Sequence, residues 1–321
     1  MKNQCKDSQI LSIINTIFTY CIMRKNAQDL AGFTEDTIRH LQANRQFRTA
    51  ETYEAALRSF QRFLGAPTLA FREITPTLIA RYEVYLAGRG LSRNTSSFYM
   101  RILRAIYNRA VDAGLVRQRS PFRHVYTGVD KTRKRAVPLS VIRRIKHLDL
   151  SGSPSLALAR DLFLFSFYTR GMSFVDMAGL TPGNLNGGYL RYIRRKTGQP
   201  ISIRWEQCMQ EIVDRYPDIA TGRLLPIVVR TGVDPRRQYR TALFEVNKGL
   251  AEISRLLGLD CPLTTYVARH SWASIAYANE IPLSVISEGM GHGSEKVTRV
   301  YLASVNSSAV DKANRRILKM L

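Results

Sequence analysis

A mainly α-helical chain with one small β-hairpin or sheet, arranged as two domains, is what this sequence predicts. Three observations carry that expectation. Apolar residues recur at helical spacing in four successive segments between Phe33 and Gly114, each with a cap or stop where a helix needs one. Two short alternating runs, Tyr189–Arg194 and Ile201–Trp205, flank the turn Thr197-Gly198-Gln199-Pro200 and read as a hairpin. Between these regions lies a positively charged stretch interrupted by Pro121, Gly128 and Pro138. A chain of 321 residues is long enough to bury two separate cores.

Taken in order, Ile10–Met23 is apolar but shorter than the about 20 residues that span a bilayer. Arg24 and Lys25 follow it rather than precede it, unlike a secretory signal. Residues 1–29 therefore read as an extension, either a docking helix or a segment upstream of a start at Met23. A helical domain follows over 30–117. Thr34 caps a helix carrying Ile38 and Leu41, and Thr49 opens one with Tyr53, Ala56, Leu57, Phe60 and Phe63 on one face, stopped at Gly65 and Pro67. Thr75-Pro76 starts the third, because proline suits the first helical position, and Ser92 starts the fourth, which Gly114 closes. Residues 118–138 form a basic linker. From 139 to 321 the second domain begins with a short helix capped by Ser140 and an apolar helix over Ala157–Phe167, then the hairpin. Helices follow near Glu206–Tyr216, Gln238–Leu257, Thr264–Asn279, Pro282–Met290 and Lys296–Ala303. Val310, Ala313, Ile317, Leu318 and Leu321 place an apolar stripe on a last helix, which packs on its own domain or on a neighbour.

Charge narrows the partners. Lys and Arg number 48 against 25 Asp and Glu, a formal charge of +23, which points to a polyanion, nucleic acid before membrane. Arg117–Lys146 holds ten Lys/Arg and one acid, Asp130, a density that DNA phosphates would neutralise by counterion release. Lys131, Arg133, Lys134 and Arg135 in this stretch, with Arg93 and Arg101 on the fourth helix, are the candidate DNA contacts. Cys5, Cys21, Cys208 and Cys261 are scattered with no C-x-x-C pair, which argues against disulfides and zinc and fits a reducing cytoplasm. No phosphate-binding G-x-x-x-x-G-K-[ST] loop and no H-E-x-x-H are present, so neither NTP, metal nor other cofactor is expected.

The chemistry-bearing residues concentrate near the C-terminus: Tyr266, Arg269, His270, His292 and Tyr301. Together they meet the needs of metal-free phosphoryl transfer, in which a hydroxyl attacks phosphorus while guanidinium and imidazole stabilise the non-bridging oxygens. A phenol titrates near pH 10, so Tyr301 as nucleophile requires cations beside it.

Residues 264–301, TTYVARHSWASIAYANEIPLSVISEGMGHGSEKVTRVY, resemble the C-terminal box of the tyrosine recombinase (phage integrase) family, whose pattern is H-x-x-R-H, then Gly-His, then Tyr nine residues on. Arg269-His270, Gly291-His292 and Tyr301 match it. Lys196 in RRKTGQ resembles the family's hairpin lysine, and Thr49–Leu64 with Leu91–Val116 are similar to its core-binding domain. The resemblance implies a SAM-like helical DNA-binding domain and a mixed catalytic domain that clamp double-stranded DNA at inverted or direct repeats. It further implies a homo-tetramer on two sites, with residues 307–321 as the exchange element and an accessory DNA-bending protein as a partner. Carried over, Tyr301 attacks the scissile phosphate, Arg269 braces it, Lys196 protonates the leaving 5′-oxygen and His292 hydrogen-bonds the phosphate.

Two departures stand out. Tyr266 occupies the place of the first histidine. In TRGMSFVDMAGL (Thr169–Leu180), Ser173 occupies the first-arginine column, with Arg170 three residues earlier. If that stretch is helical, Arg170 falls on nearly the same face and supplies the second guanidinium; Arg194 and Arg195 are the alternatives. The R-G-M-S-F-V-D-M form resembles a subgroup from mobile and invertible elements. Inversion is the first expectation for the biological task, integration or excision the second, and a catalytically silent DNA-binding protein of the same fold is the alternative.

Overall fold

A computed structural model describes residues 29–130, 136–217, 219–292 and 298. The extension at 1–28, the linker residues Lys131, Arg133, Lys134 and Arg135, the helix expected over Lys296–Ala303 except Thr298, the nucleophile candidate Tyr301 and the last helix lie outside the described residues. The chain divides into two compact units, Met1–Thr132 and Arg133–Leu321.

Among its described residues the first unit contains four α-helices: α1 (Leu30–Ala43), α2 (Phe47–Leu64), α3 (Pro76–Gly88) and α4 (Arg93–Asp112). Thr75 and Ser92 cap α3 and α4 through bonds from the Leu78 and Thr95 N–H groups, and Gly65 ends α2 in the left-handed conformation. Thr34 is not a cap. Asp29 accepts the Gly32 N–H and starts α1 earlier, so Thr34 is buried inside the helix and donates to the Leu30 carbonyl at 2.6 Å. Phe33, Phe60, Phe71, Tyr82 and Tyr107 build the core, with Phe60 edge-on to Tyr82 at 4.9 Å between centroids. Burial pushes the Tyr82 phenol well above its ordinary value, and its hydroxyl donates to Ser59 at 2.7 Å.

The stretch expected as linker is, as far as Asp130, part of this unit. Phe122 and Val125 are buried in its core. The Tyr126 N–H donates to Glu83 at 2.9 Å, and Ser97 Oγ donates to the Gly128 carbonyl at 2.5 Å. Asn94 takes both backbone groups of Asp130, accepting its N–H at 2.7 Å and donating to its carbonyl at 3.1 Å. The segment's charge and its proline and glycine breaks read as a linker; two buried apolar side chains and a row of bonds to its backbone make its first part a piece of the helical unit.

The second unit is built on α6 (Pro154–Tyr168), which packs against α9 (Pro235–Leu256) and α10 (Thr265–Ala278). Gly249 lets α9 approach α6 closely, since a Cβ there would lie 2.9 Å from that of Ala159. Around these stand α5 (Leu139–Lys146), α7 (Phe174–Met177), α8 (Gln207–Asp214) and α11 (Leu283–Gly289). Pro138 rather than Ser140 occupies the cap position of α5. The hairpin forms as β2 (Tyr189–Ile193) and β3 (Pro200–Arg204), with Leu190 opposite Ile203 and Tyr192 opposite Ile201. A two-residue strand, β1 (Leu185–Asn186), adds to β2 and makes an antiparallel sheet in the order β1-β2-β3. Leu190, Ile201 and Ile203 point into the core, as their alternation requires. Among the described residues, no helix is long and apolar enough to cross a membrane.

Candidate active site

Arg269 is the centre of the site. It lies on α10, where the apolar stripe of Val267, Ala268 and Ala273 faces the core, and it is 3% exposed. Its guanidinium is directed by neutral acceptors: Nη1 donates to the Gly171 carbonyl and Nη2 to the Met290 carbonyl, both at 2.7 Å. Gly171 is required there, because its φ is +77° and a Cβ would lie 2.6 Å from the Arg269 Cα.

His292 follows α11 and meets Arg269, Nε2 to Nη2 at 3.0 Å, while its Nδ1 lies 2.7 Å from Thr298 Oγ1. A guanidinium only donates, so Nε2 accepts and the ring proton sits on Nδ1, donating to Thr298. Burial, then the charges of Arg269, Arg194 and Lys196, pull the imidazole pKa down to about 4, so the ring is neutral at pH 7.

Lys196 is exposed at the tip of the β2–β3 hairpin. The turn closes because the Gly198 N–H reaches the Arg194 carbonyl and the Arg194 N–H reaches the Gln199 carbonyl, each at 2.8 Å. The hairpin is anchored on both sides. Arg194, 6% exposed, donates through Nη1 to the Gly291 carbonyl, and the Arg195 N–H donates to Asp176 Oδ1 at 2.9 Å.

The region of Arg170 corrects a sequence expectation. Arg170 and Ser173 share no helical face: α6 ends at Tyr168, Arg170 and Gly171 form a turn with φ of +59° and +77°, and Ser173 caps the short α7. Ser173 Oγ donates to Asp176 Oδ2 at 2.5 Å, so the residue in the arginine column orients the carboxylate that holds the hairpin. The Arg170 side chain runs past Gly289, at the end of α11 and near the His292 turn. Tyr266, one turn before Arg269 on α10, is 49% exposed, and its ring stands edge-on to His270 at 4.7 Å. The site thus brings together Arg269, His292 and the Lys196 hairpin, with Arg170 at its edge.

Of the candidate DNA contacts in the first unit, Arg93 is exposed and Arg101 is half-buried. The Arg93 guanidinium lies 3.7 Å over the Tyr126 ring and 3.5 Å from Asp130, while Arg101 Nε donates to the Ser97 carbonyl at 3.4 Å.

The chain and its fold resemble known proteins. A family model described as "Phage integrase SAM-like domain" matches residues 29–125. The tyrosine recombinase XerD of Halalkalibacterium halodurans is 24% identical over 235 residues, covering 72% of this chain and 77% of that one. The first unit thus matches the phage integrase SAM-like domain family, and the chain as a whole is similar to tyrosine recombinases. Its fold matches a lambda integrase dimer bound to a COC′ core site (TM-score 0.64, 16% identity, 87% of this chain and 97% of that one). It also matches the Tn1549 transposon integrase in complex with a circular intermediate DNA (TM-score 0.63, 15% identity, 90% and 100%). Site-specific DNA recombination is the class of activity that this likeness supports.

For a tyrosine recombinase, sequence motifs name Arg269, His292 and Lys196 but not what directs them. Missed were Thr298, which fixes the His292 tautomer, and the carbonyls of Gly171, Met290 and Gly291. A signal for Arg194 existed: on a strand, Leu190, Tyr192 and Arg194 share the inward face, which separates Arg194 from the exposed Arg195.

Proposed function

We propose that this recombinase cuts and rejoins DNA through a 3′-phosphotyrosyl intermediate, with Tyr301 as nucleophile. Arg269 holds the non-bridging oxygens of the scissile phosphate, His292 orients Arg269 by accepting from its Nη2, and Lys196 protonates the leaving 5′-oxygen. Arg170 supplies the second guanidinium and Tyr266 an outer contact. The observation that carries this reading is the convergence of Arg269, His292 and the Lys196 hairpin from three separate elements into one positive field. Such a field favours a phosphorane-like transition state and lowers the cost of forming phenolate. The covalent link conserves the phosphodiester energy, so the reaction needs no NTP.

The substrate is double-stranded DNA carrying inverted or direct repeats, and inversion of a local segment is the first choice of task, ahead of integration or excision. The basic residues 131–135 contact the duplex. A homo-tetramer on two sites is the working assembly, supported by a solved lambda integrase tetramer bound to a Holliday junction, which shares this fold (TM-score 0.62, 17% identity). Long-read sequencing of cells expressing wild type or Tyr301→Phe tests the reading. Rearranged junctions confined to wild type are expected. Identical populations, together with no covalent protein–DNA adduct, would leave only a DNA-binding protein of this fold, the reading that Ser173 in the arginine column favours.

A further inference from the structure

Three side chains of the β2–β3 hairpin reach one turn. Arg194 Nη1 donates to the Gly291 carbonyl, Thr197 Oγ1 donates to the same oxygen at 3.4 Å, and Gln199 Nε2 donates to the His292 carbonyl at 3.5 Å. Arg194 is the buried member; Arg195 and Lys196 beside it are exposed. Elsewhere in this unit a sequestered arginine, Arg160, sits on a buried carboxylate, Asp161. Arg194 instead reaches a carbonyl belonging to the residue before His292, and the fit is close. Gly291 has φ +62°, and a Cβ there would lie 2.6 Å from Ile201 Cδ1 and 3.2 Å from Arg194 Cδ. Arg269 holds the preceding carbonyl, that of Met290. Two arginines on different elements therefore grip successive carbonyls of the turn that delivers His292. Lys196 follows directly on two anchored residues, Arg194 through its side chain and Arg195 through its backbone.

We infer that Arg194 is a positioning residue for strand cleavage: its grip on the Gly291 carbonyl ties the Lys196 hairpin to the His292 turn, fixing the proton donor relative to the groups that hold the phosphate. The inference rests on the reading of Lys196 as the acid. In that step the Tyr301 oxygen forms a bond to phosphorus and the phenol proton passes to water. The bond from phosphorus to the 5′-oxygen breaks, and the Lys196 ammonium gives its proton to that oxygen. A donor displaced by about 1 Å costs roughly 100-fold in rate.

A leaving group that needs no proton isolates this role. The probe is a duplex of the rearrangement junction mapped by sequencing, made with either oxygen or sulfur at the 5′-bridging position, since a thiolate leaves unprotonated. Arg194→Ala is expected to bind the duplex as wild type does and to cut the oxygen form about 100-fold more slowly. On the sulfur form it should return to within about tenfold of wild type, as should Lys196→Ala, whereas Arg269→Ala recovers on neither. Arg194→Lys, which keeps the charge and most of the stem, guards against loss of fold and should show the same sulfur-dependent recovery. Wild-type cutting of the oxygen duplex by the Arg194 variants would overturn the proposal. So would persistent slowness on sulfur while Lys196→Ala recovers. A Lys196→Ala that stays slow on sulfur would reject the acid role itself and the Arg194 role with it, which separates the two failures.

Discussion

Arg269 and the arginines around Asp161 lie in the same unit, and their surroundings teach opposite lessons. Asp161 is 1% exposed and takes Arg160 at 3.0 Å, Arg215 at 2.9 Å and the Tyr216 hydroxyl at 3.0 Å. There each positive charge meets a carboxylate, and the product is structure. Arg269 donates to two carbonyls and an imidazole, dipoles that fix its orientation. Burial lowers the His292 pKa first, and Arg269, Arg194 and Lys196 add to it by opposing protonation of the ring. Asp176, a carboxylate that touches the site's hairpin, accepts from Ser173 and from a backbone N–H, an arrangement that stabilises the hairpin. A carbonyl or imidazole orients a guanidinium through a dipole, whereas a carboxylate also neutralises it.

That contrast is open to test, beginning with the largest effect. Arg269→Ala should lower covalent adduct formation by at least about 100-fold with DNA binding retained, measured by denaturing gel against a mobility shift. Arg170→Ala should reduce cleavage by about 100-fold and leave binding largely intact; normal cleavage would remove Arg170 from the site. Asp161→Ala should instead act on stability, by about 3 kcal/mol in denaturant unfolding, while cleavage at permissive temperature stays near wild type. A cleavage defect in a fully folded Asp161→Ala protein would break the distinction.

Two smaller effects sharpen it. The folded pKa of His292 lies below the unfolded value near 6.5, so the unfolded chain binds the proton first as pH falls. Stability from this residue is complete above pH 6.5 and is lost progressively toward about pH 4. His292→Gln should flatten that part of a Tm-versus-pH curve. Arg170 has φ +59°, a conformation costing an L-residue on the order of 1 kcal/mol. Arg170→Gly should therefore raise Tm slightly even as it removes a guanidinium, the smallest of these changes and one that scanning calorimetry resolves.

What was legible in the sequence followed from forces that act over a few residues. Thr75-Pro76, Ser92 and Gly65 end helices by local hydrogen bonds and backbone preference, and the alternation around Thr197–Pro200 sets the hairpin register. Arg269 and Gly291-His292 are legible for the same reason, since they lie on α10 and in the turn that follows α11. Local signals also misled. Thr34 and Ser140 look like caps, and a helix through Arg170 and Ser173 looks continuous, but Asp29, Pro138 and the Arg170-Gly171 turn take those places. Nor does charge density reveal that 122 and 125 carry the side chains that bury the start of the basic stretch.

What directs the site was decided in three dimensions. Arg269 finds the Gly171 carbonyl 98 residues away, and Arg194 finds that of Gly291 across 97. Every residue carries a carbonyl, so no residue type announces which one will serve as an acceptor. Only the packing of α10 against the turn after α6, and of the hairpin against the turn after α11, selects those oxygens. It does so by excluding a Cβ at Gly171 and Gly291.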